Sequence, residues 1–478
     1  MTVLVIGGGI AGLAAARDLG NAGVPTLLVD ASDRLGGKVA TEYVDGFVIE
    51  LGPDSLLTTR PAGVQLVREL GLGDDLIGVS EPRSVHILRD GRPIPMPEGI
   101  GLVLPSKAMP FLTTRLFSWP EKLRLGLDLV KPRVLPAEDV SVGGFLRRRL
   151  GSALVSRLAG PLVGGIYGTS IDELSLDAVV PTLREAEHNH RSLILAGLSD
   201  GRKMRARAKA TRAADGPRFG IFASLRGGLG DLITALEREL AAMPVVDIDR
   251  GVNAVALDRA GAGYRAQLSD GRAIAVDAVV VATPGPSAAS LLRGVAPRAA
   301  EAIGSIPHGS TSVVSLAYRA DQFPVPLEGH GWLIPANEGL PLSALTFSSN
   351  KWAGRAPAGM ALLRAFLPDQ PSAGLGADDL IPIAQAAVER LTMVAGSPEL
   401  IRVSAAEANM PRYTVGHIGR VERAERELAD QPRIALAGAP YRGVGLPDCI
   451  SGARNAARKI VAALDAKDEL IRSPLLSR

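Results

Sequence analysis

The chain opens on a continuous apolar run, Thr2 to Ile6, with no alternation of polar positions. Such a run predicts a strand buried on both faces of a parallel sheet. Glycines follow at once in Gly7-Gly8-Gly9-Ile10-Ala11-Gly12, and Ile10 to Asn21 then carries an Ala/Leu-rich helical pattern. A second apolar run, Val24 to Val29, closes on Asp30. Asp45-Gly46 marks a hairpin turn, and Gly52-Pro53 a further turn after it. From Val252 the pattern alternates: Val252 to Leu257 and Tyr264 to Leu268 flank Gly261-Ala262-Gly263, with another turn at Asp270-Gly271. That predicts a meander of half-buried strands. Ala278 to Ala282 is continuous again and stops at Thr283-Pro284. Ile434 to Ala437 is the last short run; it ends at Gly438 and leads through Gly443-Val444-Gly445 to a helix reaching Leu464.

The first stretch carries chemistry. Gly7, Gly9 and Gly12 satisfy GxGxxG, and Asp30 lies 18 residues after Gly12. Gly7 permits the tight turn, Gly9 lets backbone approach a pyrophosphate, and Gly12 allows close helix–strand packing. The helix start at Ile10 and Ala11 offers free N–H groups to phosphates. Asp30 stands where an acid binds a ribose hydroxyl. Strand, loop, helix, second strand and acid agree on a dinucleotide site.

Composition narrows the class. With 478 residues, 46% hydrophobic and 22% charged, the chain holds roughly three domains' worth of globular core. Lys+Arg 53 against Asp+Glu 50 leaves +3, too even for a nucleic-acid partner. One cysteine, Cys449, excludes an intramolecular disulfide, a CxxC redox pair and a cysteine zinc site. Six histidines with one close pair, His188 and His190, show no metal-ligand spacing, so no metal is expected. No run of ~20 apolar residues predicts a membrane span, and Met1 to Ile6 does not read as a signal peptide.

Beyond the glycine loop, Asp30-Ala31 is followed by Arg34-Leu35-Gly36-Gly37-Lys38. An acid with Arg-x-Gly-Gly a few residues on resembles the FAD-binding flavoprotein superfamily of amine oxidases, phytoene desaturases and protoporphyrinogen oxidases. There this stretch wraps the FAD ribose and pyrophosphate, and the turn matching Gly52-Pro53-Asp54-Ser55 lies against the flavin ring. By the same likeness Val252 touches the adenine through its backbone. Gly438, Val444, Gly445 and Leu446 bring a helix start to the flavin's electron-rich side, where its dipole stabilises negative charge.

The middle of the chain narrows the resemblance. Pro161 to Gly168, Asp172-Glu173-Leu174-Ser175, His190-Arg191-Ser192-Leu193, Leu225-Arg226-Gly227-Gly228-Leu229, Met410 to His417 and Gly443 to Ile450 follow one another in the order found in protoporphyrinogen/coproporphyrinogen oxidases. Leu104-Pro105-Ser106-Lys107 and Leu116-Phe117-Ser118 look most like the Gram-positive branch, whose preferred substrate is coproporphyrinogen III. The resemblance implies one non-covalent FAD, a porphyrinogen substrate, dioxygen as acceptor, and no strong general base. Arg60 matches a basic residue of that branch and is the candidate propionate partner. Tyr167, Thr169 and Phe347 are candidate pocket walls. Where the family has Ala-Gly-Asp after its tyrosine, this chain has Gly168-Thr169-Ser170, and Val85 falls near the arginine of plant and animal enzymes. Protoporphyrinogen IX oxidation, an amine oxidase or carotenoid desaturase, and a non-catalytic flavin-bound regulator stay open.

The expected fold is α/β: a discontinuous Rossmann-like FAD domain from 1–78, 222–296 and 412–466, an antiparallel-sheet substrate domain from 79–97 and 297–411, and a helical domain at 98–221. Ser118 predicts an N-cap for a helix to Lys131. Its leucines read first as core or pocket wall, second as peripheral contact with the inner face of a membrane from the cytoplasm. The basic run Arg202, Lys203, Arg205, Arg207, Lys209 and Arg212 reads first as a solvated loop, second as a surface for an anionic ligand or lipid. Oligomeric state is not legible.

Overall fold

The computed structural model describes residues 1–82, 84–100, 104–199, 201 and 219–472. Its organising element is a five-stranded parallel sheet, in the order Val246–Arg250, Thr26–Asp30, Val3–Ile6, Ala278–Val281, Ile434–Leu436. Val3 pairs with Thr26 on one side and Ala278 on the other. Both faces are buried, which explains the unbroken apolar runs. Val3 and Val5 face a cluster formed by the helices Ile10–Asn21, Gly230–Ala241 and Leu446–Arg472. Leu4 and Ile6 face the opposite cluster, under the meander Ala254–Ala260, Gly263–Leu268, Ala273–Val276 and the helices Gly285–Leu292 and Pro297–Gly304. Burying both faces of a strand of four residues removes nearly all its apolar surface from water, at about 25 cal/mol per Å².

A second sheet has seven strands, in the order Leu400–Pro411, His308–Arg319, Met360–Leu367, Ala344–Phe347, Gly331–Leu333, His86–Arg89, Arg92–Pro95. Its pairs are antiparallel except Gly331–Leu333 with His86–Arg89. One face packs on the helix Ala377–Thr392 through Val314, Leu316, Leu345, Phe347 and Leu363. From the other face Ile87 joins the core of the helical region, with Phe145, Leu158 and Tyr167. The architecture is thus the α/β arrangement expected, a Rossmann-like parallel sheet beside an antiparallel one.

In the helical region a stretch of wide π-helical turns, Val155–Gly164, surrounds Pro161 and runs on to Tyr167. The chain leaves it at Gly168, whose φ of 61° suits glycine. The helix after Ser118 spans Trp119–Gly126 and tightens to a 3₁₀ turn at Leu127–Leu129. Ser118 and Glu121 form the capping box that starts it. The core-packing reading of its leucines is corrected: Leu125 is buried, but Trp119 is 69% exposed, Leu123 72% and Val130 71%. The inward position belongs to Asp128 instead. Its carboxylate meets Arg149 at 2.5 Å and accepts from Ser192 Oγ at 2.7 Å and Ile194 N at 3.0 Å. Arg149 also donates to Pro132 O at 2.6 Å and Asp128 O at 3.3 Å, which offsets part of the cost of burying the pair, while its Nε has no hydrogen-bond partner among the described residues. Among the described residues no helix is long and apolar enough to cross a membrane. The basic run Arg202 to Arg212 lies outside the described residues.

Candidate cofactor and substrate site

The glycine loop sits between the strand Val3–Ile6 and the helix Ile10–Asn21. A Cβ on Gly12 would lie 1.7 Å from the Gly7 carbonyl oxygen, so only glycine fits there. A Cβ on Gly9 meets no atom within 4 Å, so the loop is open on that side. Gly9 is the N-cap and offers no side chain to the first turn, leaving the N–H groups of Ile10, Ala11 and Gly12 without intrahelical partners. Asp30 closes the loop from beside it, accepting from Gly8 N at 2.5 Å and Ser32 N at 2.8 Å. Each oxygen keeps a lone pair for a further donor. Val252 N donates to the Asp30 carbonyl at 2.9 Å, and Ala31 is exposed next to it.

The Arg-x-Gly-Gly turn folds back over this loop, with Gly36 N donating to Gly8 O at 2.8 Å. A Cβ on Gly37 would stand 3.2 Å from Gly9 Cα. Arg34 spends its guanidinium on its own turn, donating to Leu35 O, Val39 O and Gly37 O at 2.9, 3.0 and 2.6 Å. It shapes the cradle from behind. Gly52 lies directly on Lys38: a Cβ there would be 1.8 Å from the Lys38 carbonyl oxygen. Burial lowers the Lys38 ammonium below its usual range, and the neighbouring Cys449 opposes that shift. Burial also pushes the Cys449 thiol up to about 12, so it stays protonated.

The turn Gly52 to Ser55 is held by charges from far along the chain. Arg364 donates to Gly52 O at 2.6 Å and stands 3.9 Å from Asp54. Lys351 meets the Asp54 carboxylate at 2.7 Å, Trp352 Nε1 donates to it at 3.1 Å, and Ser55 Oγ bonds its other oxygen at 2.9 Å. Burial opposes ionisation of Asp54, but Lys351 and Arg364 outweigh it and hold the carboxyl well below the usual carboxylate range. Behind this turn, buried Arg355 stands 3.5 Å from Glu50.

The last segment arrives on the other side. Gly438 has φ of 110°, and a Cβ on it would lie 3.8 Å from Ala11 Cβ. Tyr413 brackets the turn that follows, its hydroxyl donating to Ala439 O at 2.6 Å and accepting from Gly443 N at 2.7 Å. Tyr413 stacks on His417 at 3.7 Å, and His417 Nε2 is 2.8 Å from Tyr441 O. Burial lowers His417 to about 4, so the ring is neutral near pH 7. Side chains of Val444 and Leu446 pack inward, leaving the Gly445 backbone at the surface of the turn.

Tyr167 packs on Tyr413 with ring centres 5.5 Å apart. Burial raises its hydroxyl to about 12; Asp448 adds to that and Arg60 opposes it, so the three groups share one neighbourhood. Arg60 forms an ion pair with Asp448. Thr169 Oγ1 donates to Glu173 at 3.1 Å, and a Cβ on Gly168 would sit 2.9 Å from Thr311 Oγ1.

The sequence profile of the flavin containing amine oxidoreductases matches residues 10–461. The chain belongs to this family. The coproporphyrinogen III oxidase of Propionibacterium freudenreichii subsp. freudenreichii is 45% identical, covering 96% of this chain and 91% of that one. The coproporphyrinogen III oxidase of Bacillus subtilis (strain 168) is 34% identical over 94% and 95%. A crystal structure from Exiguobacterium sp. 255-15, whose given name is that of a protoporphyrinogen oxidase, is similar at a TM-score of 0.83 and 31% identity, over 97% and 99%.

The family is one of flavin-containing oxidoreductases, and two orphaned atoms beside the cradle fit a polar cofactor there. Thr283 Oγ1 and His308 Nε2 are buried without hydrogen-bond partners. Thr283 adjoins Gly7, and His308 adjoins Gly285 just beyond it. Buried polar groups left this way need a partner, which a polar cofactor supplies. One candidate is corrected: Phe347 is fully buried, edge-on to Trp332 at 5.5 Å, and belongs to the core beneath the antiparallel sheet. Alternation along Ala344–Phe347 turns it away from the cleft. Arg364 is the residue that motif reasoning missed, while Lys351 beside Trp352 resembles the lysine of amine oxidases only loosely and Tyr413 stands in the Met410 to His417 motif with no role assigned. Lys351 sits beside Trp352 as a lone lysine in the sequence, and Arg364 lies in an apolar strand, where a buried cation is the only signal.

Proposed function

We propose that this chain is an FAD-dependent coproporphyrinogen III oxidase of haem biosynthesis. It takes six electrons from the macrocycle in three steps, each removing a hydride and releasing a proton, with three dioxygen molecules leaving as hydrogen peroxide. The observation that carries the reading is the full-length likeness to curated coproporphyrinogen III oxidases. Oxidation of protoporphyrinogen IX is the second reading, favoured by the name of the Exiguobacterium structure.

The chemistry that FAD supplies when bound is acceptance of a hydride and return of two electrons to dioxygen. The chain's own residues bind and orient. Gly9, Ile10, Ala11 and Gly12 would meet the pyrophosphate, Asp30 the ribose, Val252 the adenine, and Gly36, Gly37 and Lys38 the turn between. Pro53 and Ser55, on the turn that Arg364 and Lys351 fix through Gly52 and Asp54, would lie beside the ring system, opposite Gly445. Arg60, Tyr167 and Thr169 would meet the substrate. Aromatisation drives the reaction, so the site needs no strong base. A protonated, buried Cys449 is a poor nucleophile, which supports non-covalent FAD. The division proposed for these roles is 1–78, 222–296 and 412–466 for the cofactor, 79–97 and 297–411 for substrate, and 98–221 for the helical part.

The helical part carries the proposed peripheral membrane contact. Met109, Leu112, Trp119 and Leu123 are exposed near Lys122, and a shallow hollow of about 690 Å³ is lined by Met109, Leu112, Phe117, Trp119 and Lys122. Sedimentation with anionic vesicles should carry the protein down, and Trp119→Ser should weaken this. The test of function is an aerobic assay of the purified protein on both porphyrinogens, following porphyrin fluorescence and peroxide. Growth of coproporphyrin fluorescence with three peroxides per porphyrin is expected; no porphyrin from either substrate defeats the reading. Acid precipitation should release yellow flavin.

A further inference from the structure

The Arg60–Asp448 ion pair joins residues 388 positions apart and has an unequal build. Asp448 is the fixed partner. It is the third residue of the helix Leu446–Arg472, and its N–H donates to Gly445 O at 3.0 Å. Its carboxylate is folded over the preceding turn: a Cβ on Gly443 would lie 2.6 Å from Oδ2, and one on Gly445 3.1 Å. Only 17% of its side chain is exposed. Arg60 is the free-reaching partner. It precedes the helix Pro61–Glu69, and 54% of its side chain faces solvent. Its one described side-chain hydrogen bond goes to Asp448, through Nη1. The two helices approach closely here, since a Cβ on Gly63 would lie 3.1 Å from Pro447 Cγ. Tyr167 lies within electrostatic reach of both charges.

We infer that Asp448 sets the affinity of the site for carboxylates, as an internal carboxylate that occupies Arg60 and that a carboxylate of the substrate must share or displace. This rests on the porphyrinogen reading and deepens it. A guanidinium has five N–H donors in a planar fork, so Arg60 can turn outward to a propionate while Asp448 stays in its turn. The chemical reason for such a competitor lies in the reaction itself. Oxidation changes the ring and leaves every side-chain carboxylate as it was. A cation that gripped those carboxylates without competition would hold substrate and product equally, lowering KM without raising kcat and slowing product departure. Asp448 weakens both grips together and returns Arg60 to a neutral pair when product leaves. Tyr167 supplies a neutral hydroxyl within electrostatic reach of the same charges.

The test uses holoenzyme and coproporphyrin III, with binding read by fluorescence titration. Asp448→Asn keeps the shape and removes the charge; it should tighten coproporphyrin III about two- to fivefold, the range an exposed ion pair is worth. In steady-state assays KM should fall by a similar factor while kcat stays level or drops. Combined with Arg60→Gln, the gain should vanish, because no released cation is left to benefit. Asp448→Ser, which keeps a hydroxyl at the helix start, should reproduce the effect if the asparagine variant folds poorly. Unchanged affinity in both variants overturns the inference. So does an equal gain with and without Arg60, which marks simple removal of a negative charge. Loss of folding in both marks Asp448 as a structural cap and overturns it as well. Failure of the functional reading is distinguishable, since it appears as wild-type protein that oxidises neither porphyrinogen.

Discussion

At one end of the site, Gly7 to Gly12 and the acid Asp30 form the proposed phosphate and ribose cradle from about thirty consecutive residues. At the other end, Arg60 meets Asp448, Asp54 meets Lys351 and Arg364, and Tyr413 meets Gly443. The first end works through backbone: what matters is where a side chain is absent. The second works through charges and hydroxyls brought together by folding. A phosphate-binding turn can be written in one local motif, whereas the turns proposed to flank the ring system and the substrate are held by chain segments whose spacing carries no signature. Substitutions should therefore fail differently at the two ends, by steric exclusion at the first and by unpaired charge at the second.

The largest effect should come from the first end. Gly9→Val puts a branched side chain into the space open above Gly9, and purified protein should carry almost no flavin. A yellow variant with a normal flavin-to-protein ratio would break the steric half of the comparison.

Next comes the charge cluster. Asp54→Asn removes the carboxylate that neutralises Lys351 and Arg364, both largely buried. Stranding buried cations should lower stability by about 3–5 kcal/mol, read as a fall in Cm in denaturant. Asp54→Asn with Lys351→Met should be milder than Asp54→Asn alone. If the two losses simply add, the cluster is not a unit.

A third test uses pH on the Tyr413 bracket. His417 is held neutral by burial, with its pKa near 4 against an ordinary 6.5. The unfolded chain therefore binds a proton that the folded protein refuses. The His417 contribution to stability is fully present above about pH 6.5 and is lost as pH falls towards 4, about 3 kcal/mol in all. His417→Gln should flatten that part of the stability profile. An unchanged slope between pH 6.5 and 4 would show that His417 does not titrate in this window.

What could be read beforehand follows the same division. The parallel sheet was legible because burial on both faces leaves unbroken apolar runs, and Gly7, Gly9 and Gly12 mark a turn that other residues cannot make. The antiparallel sheet was less so. Its strands Gly331–Leu333 and Ala344–Phe347 are three and four residues long, too short to show a period, and Phe347 points to the core where an aromatic reading placed it in the pocket. The leucines after Ser118 misled in the other sense, since an apolar helix reads as core until the structure leaves Trp119 and Leu123 uncovered. Arg34 was legible as part of the cradle, but its three bonds to its own turn required coordinates.

The smallest effect should be at Arg60. Sequence resemblance alone suggests a charge-assisted propionate contact, whose loss would lower kcat/KM about tenfold to a hundredfold. The structure reduces that. Arg60 is half exposed, so water and salt screen it, and Asp448 already occupies it. Arg60→Ala should therefore lower kcat/KM for coproporphyrinogen III only about three- to tenfold, mostly through KM, with flavin content unchanged. Arg60→Lys should keep part of the activity, as a point charge without the fork. Protoporphyrinogen IX, with two propionates instead of four, should lose less. Raising the salt concentration should shrink the gap between wild type and Arg60→Ala, because screening removes from the wild type what the substitution removes from the variant. A gap that persists undiminished at high salt would mean that Arg60 contacts substrate in a dry pocket, and the contrast between a rigid nucleotide end and an exchangeable carboxylate end would then be drawn in the wrong place.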